Sequence, residues 1–68
     1  MADKLKAGDR VLVQVGFDEV EARVLEVYGP NDSRLLLALP IHGSEGEVLD
    51  ERTVSLPLRR VLRRLAPA

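Results

Sequence analysis

Arg59, Arg60, Arg63 and Arg64 are the side chains of this sequence best equipped to bind another molecule. A guanidinium presents a planar fork of donors that matches phosphate and carboxylate, and it stays charged at physiological pH. Two adjacent arginine pairs so close together can grip a phosphate backbone or the acidic face of a protein. They can also pair within the chain, with Glu21, Glu26 or Glu47. The charge distribution singles them out. All eleven acidic residues lie between Asp3 and Glu51, whereas Arg52 onward holds five arginines and no acid, under a net charge of only −1. Nucleic-acid modules usually carry a clear basic excess and exposed aromatics on which bases stack. The arginine-rich tail has no aromatic, so a solvated face paired within the chain is the first expectation for the cluster, a protein partner the second and a nucleic acid the third.

Catalytic constellations are sparse. His42-Gly43-Ser44-Glu45-Gly46 resembles a nucleophile elbow in composition, but histidine stands where the first glycine belongs and no helix follows. Asp18-Glu19 and Asp50-Glu51 are adjacent carboxylates, whereas general acid–base work needs two that face each other across a cleft. Gly43-x-x-Gly46 is not followed by Lys-Ser/Thr, so it is no phosphate loop. One histidine and no cysteine leave no thiolate chemistry and no zinc set, and carboxylate spacing of the EF-hand kind is missing. The expectation is a non-enzymatic chain with no metal and no cofactor.

The elements that must carry these residues read as β. Lys6-Ala7-Gly8-Asp9 is a turn, and Arg10–Val15 alternates with Val11, Val13 and Val15 on one face. Gly16-Phe17-Asp18-Glu19 is a break. In Val20–Tyr28, Val20, Ala22 and Val24 share a face; then the phase slips at Leu25, which a strand accommodates at a bulge or bend. Gly29–Ser33, including the sequon Asn31-Asp32-Ser33, is a turn cluster. Arg34–Leu39 is too short before Pro40 for a helix and is apolar on both faces. Pro40–Gly46 reads as a loop, and Glu47–Leu49 with Arg52–Leu56 as a fourth strand broken at Asp50-Glu51. At the end, Leu58, Val61, Leu62 and Leu65 carry the spacing of an amphipathic helix. The rival is a one-turn 3₁₀ helix over Pro57–Arg59 and a strand around Arg60–Arg63.

This layout resembles the SH3-like small β-barrels, the group that includes Tudor and KOW modules. The likeness lies in Gly8-Asp9-Arg10-Val11-Leu12-Val13, in the bent Val20–Tyr28 segment, and in Val54-Ser55-Leu56-Pro57-Leu58-Arg59-Arg60-Val61. It implies an all-β, five-stranded barrel with a short 3₁₀ turn before the last strand. The alternative is a four-stranded sheet with a C-terminal amphipathic helix. It also implies binding of peptides or nucleic acids. An aromatic cage for methylated side chains needs several rings, and only Phe17 and Tyr28 are present.

The 68 residues suffice for one domain, read as a leader over 1–7, a barrel over 8–65 and a tail over 66–68. The leader has no apolar stretch of the signal-peptide kind, and no run is long enough to span a bilayer, so a cytoplasmic setting without membrane contact is expected. Leu35, Leu37 and Leu39 are assigned to the interior. Leu36 and Ala38 then point outward, with Leu12 joining them as an interface for a protein partner or a homo-oligomer. The functional expectation is a binding and assembly module working through protein–protein contact. The alternative is a KOW-like nucleic-acid module using the arginine cluster.

Overall fold

The computed structural model describes residues 4–68. Five antiparallel strands form one sheet in the order β4-β3-β2-β1-β5: β1 is Arg10–Val15, β2 Asp18–Tyr28, β3 Arg34–His42, β4 Val48–Pro57 and β5 Val61–Ala66. The remaining ordered elements are 3₁₀ turns at Pro30–Asp32 and Leu58–Arg60. Among the described residues no helix is long and apolar enough to cross a membrane. The chain is therefore all-β, with a 3₁₀ turn before its last strand. The sheet does not close, because β4 and β5 stand at its two edges and share no ladder.

β1 and β2 are joined by a two-residue turn, Val15 pairing with Asp18. Gly16 has φ 63° and Phe17 keeps the ordinary sign, which fits the hairpin turn with glycine at its first central position. β2 alternates as expected as far as Val24. The ladder to β3 then shifts between Val24 and Glu26. Leu25 is the extra residue of a bulge, and Val27 regains the inner face to pack on the core. Fully buried Val11, Val13, Val24, Leu35 and Leu37, with nearly buried Ala22, form that core, and Leu39 packs against it.

Two expectations need correction. Pro40–Gly46 is not all loop, since β3 runs through Pro40 to His42 and Pro40 pairs with Glu51. The β2–β3 ladder ends at Arg23↔Ala38, so beyond it β3 has one neighbour, and a proline without an N–H is tolerated on such a one-sided stretch. β4 likewise runs unbroken through Asp50-Glu51. The β3–β4 hairpin therefore projects past the rest of the sheet, which fits the long axis of a body measuring 38 × 24 × 18 Å.

Leu58–Ala66 settles as a 3₁₀ turn and a strand. β5 pairs with β1 as Val13↔Val61, Leu12↔Arg63, Val11↔Arg64 and Arg10↔Ala66. Leu62 and Leu65 are skipped at two register shifts.

Candidate functional site

The open side of the sheet leaves an apolar groove of about 580 Å³. Leu35 at its floor is fully buried, and Leu5, Val27 and Val61 beside it pack on the core. Leu58 and Leu62 wall it and stay 42% and 45% exposed. Lys4, Arg63 and Arg64 also line it, with Asp32 the one acid among the described residues and Asn31 a neutral polar neighbour. These charged residues are exposed, so the groove has an apolar floor and a mouth with a basic excess. Such a combination takes an apolar group that carries a negative charge next to it.

The four arginines do not act as one patch. Arg63 and Arg64 lie on β5 and reach the groove, whereas Arg59 and Arg60 sit in the preceding 3₁₀ turn and do not line it. The expected internal pairing with Glu21 is not formed, since Glu21 takes Arg10 at 3.2 Å. Among the described residues Arg59, Arg60 and Arg63 have no ion-pair partner. Arg64 lies 4.0 Å from the carboxylate of Asp9.

Asp9 does more than form the turn that its sequence context implies. Its side chain is fully buried. The Lys6 amide donates to Oδ2 at 3.0 Å and the Ala68 amide to Oδ1 at 2.7 Å, while its own carbonyl accepts from the Val24 amide at 2.8 Å. Gly8 makes room for this arrangement, with φ 96° and a position where a Cβ would stand 2.9 Å from the Ala68 Cβ. Asp9 thus holds the segment carrying Lys4 and Leu5, and the end of β5, against the same strand junction. It positions the groove without entering it.

The outward residues Leu12, Leu36 and Ala38 are not brought together in one row. β2 lies between β1 and β3. Leu12 is flanked by Glu21 and Arg63, Leu36 by Glu26 and Ser55, and Ala38 by Arg23 and Thr53. Ala38 is only 3% exposed although it belongs to the outer face. Arg23 and Glu51 bridge there at 3.1 Å, in a shallow cleft of about 230 Å³ that Ala38 helps to line. That cleft also holds His42, Glu21 and Glu51, a closer approach to an acid–base set than the sequence suggested. Both carboxylates are taken by arginines, and His42 Nδ1 lies 3.1 Å from the Gly46 carbonyl. Ser44 is exposed in the hairpin loop. Among the described residues no three or more His, Cys, Asp or Glu are grouped to hold a metal ion.

A second cluster spans three strands on the outer face. Tyr28 and Ser55 share a hydrogen bond between their hydroxyls, and Arg34 donates to the Ser55 hydroxyl at 3.2 Å. The Ser55 hydrogen bond, helped by Arg34, holds the Tyr28 phenol below its ordinary pKa. Comparison of the chain with family models, curated proteins and solved structures finds no match.

Proposed function

We propose that this chain is a non-enzymatic binding and assembly module that works through protein–protein contact. It takes an apolar side chain of its partner into the groove between β5 and the Gly29–Ser33 turn, and Lys4 and Arg63 meet an acid beside that side chain. The observation that carries this reading is the coincidence of exposed Leu58 and Leu62 with cations at the mouth of one groove. Apolar anchors in a pocket supply most binding energy at interfaces, while charges around them set orientation and choice of partner. Kinship with the SH3-like barrels belongs to the same proposal. It is supported by the strand order, the bent second strand and the 3₁₀ turn before β5.

The test is a pair of binding titrations, one with a short peptide carrying a large apolar residue between two acids, the other with a single-stranded oligonucleotide. The peptide should bind with a shallow dependence on salt, and Arg63→Glu should weaken it by about tenfold, a loss of about 1.4 kcal/mol. Oligonucleotide binding through the arginines would fall steeply with salt, with a log–log slope of about −0.7 per phosphate contact. Tight oligonucleotide binding with no peptide binding would replace this function with the nucleic-acid one.

A further inference from the structure

We infer that the partner seated in the groove is a second copy of this chain, and that the segment it takes is the Gly16-Phe17 tip of the β1–β2 hairpin. This rests on the groove being a protein-binding site. Phe17, the chain's one phenylalanine, is fully exposed, at 103%. It contributes nothing to its own core and stands in the two-residue turn at the end of the β1–β2 hairpin. Aromatic side chains packed into a partner's pocket are common anchors of interfaces. Its chain neighbours Asp18 and Glu19 are both acidic and exposed.

The groove offers the converse of each feature. Exposed Leu58 and Leu62 wall an apolar floor, and Lys4 and Arg63 stand where the flanking acids would arrive. Its volume of about 580 Å³ falls in the range of roughly 300–1,000 Å³ common for sites that enclose compact ligands. The full exposure of Phe17, and two acids with no basic residue adjacent in sequence, favour the acidic–aromatic tip over the other exposed apolar residues. Ile41, Val48 and Leu49 lie on the projecting hairpin among Glu45, Glu47, Asp50 and Glu51, where Arg52 follows and Arg23 holds Glu51.

Phe17 does not line the groove of its own chain. Each copy therefore gives a tip and receives one, either reciprocally across a two-fold axis in a closed dimer or head-to-tail along a series of copies. The head-to-tail series closes into a ring when the rotation allows and otherwise continues as a filament. The site is incomplete without the neighbouring copy, which supplies its anchor.

Sedimentation of the full chain over a wide concentration range tests this. The wild type should self-associate as concentration rises, into a dimer by reciprocal exchange or into larger species by head-to-tail contact. Phe17→Ser removes the tip, and Arg63→Glu makes the groove mouth more acidic. Each alone should weaken association by about tenfold or more, as loss of an anchor does. An equimolar mixture should restore a one-to-one dimer, because the first variant keeps an intact groove and the second an intact tip. Phe17 is solvent-exposed, so its replacement leaves the fold intact, which circular dichroism verifies. Association indifferent to Phe17→Ser, a mixture that stays monomeric, or a wild type monomeric throughout overturns the inference. Adding the acidic–apolar peptide to the Phe17→Ser protein separates the two levels. Peptide binding in a protein that never self-associates sinks the second-copy partner alone, whereas no peptide binding removes the groove reading with it.

Discussion

Asp9 accepts from the amides of Lys6 and Ala68 and faces Arg64, so one carboxylate fastens two segments far apart in sequence. Asp9→Ala would leave both amides without their acceptor. Each such loss costs about 1–3 kcal/mol when buried, and these sites are partly buried, so a destabilisation of about 2 kcal/mol is expected in urea unfolding. A variant within about 0.5 kcal/mol of wild type, the range of ordinary surface changes, would deny Asp9 this role. Only half of it was legible beforehand. Gly8-Asp9 announced a turn, but Ala68 lies 59 positions away, and no local pattern encodes that contact. Tyr28 offers a second test at this scale, because it is the one tyrosine and its ionisation can be followed by ultraviolet absorbance. Hydrogen bonds donated to the phenolate favour the charged form. The midpoint should lie below 10.0 and rise when Ser55 becomes alanine. A midpoint unmoved by Ser55→Ala would mean that the hydroxyl pair does not persist in solution.

β5 shows why an element can be legible and still ambiguous. A regular strand places inward residues every second position, whereas Leu58, Val61, Leu62 and Leu65 imitate the helical interval. The two register shifts against β1 explain the imitation. Each skips one leucine, Leu62 and then Leu65, and every skip turns a spacing of two into three. The single slip at Leu25 in β2 was easier to read, because strict alternation precedes it. Pro40 misled in the other direction. It stops a helix or a central strand, but here β3 runs on with β4 as its only neighbour. The strand assignment of β5 has a direct consequence. It covers the flank of β1 and brings Val61 against the core. Removing Val61 onward should therefore abolish the cooperative thermal transition. A truncated chain that still melts cooperatively would mean that β1 to β4 hold the core without it.

Six buried side chains form the centre of the whole molecule, and a chain of this size retains only about 3–5 kcal/mol of net stability. The alternating valines and the Leu35–Leu37–Leu39 row made the interior legible from the sequence. The groove was not legible, because Leu5, Val27, Leu35 and Val61 come from four separate segments and meet only in the folded chain, between β5 and the Gly29–Ser33 turn. The arginine cluster marked the right end of the chain, but only the fold separates Arg63 and Arg64, at the groove, from Arg59 and Arg60, away from it. The central claim is that this groove receives an apolar side chain flanked by acid. Amide NMR shifts of the labelled protein, followed as the acidic–apolar peptide is added, test it most directly. Saturable shifts concentrated at Val27, Leu58, Val61, Leu62 and Arg63 are expected, and their loss at the same peptide concentrations in Arg63→Glu. Shifts centred instead on the outer-face cleft around Arg23 and Glu51, or a spectrum that does not change, would contradict it.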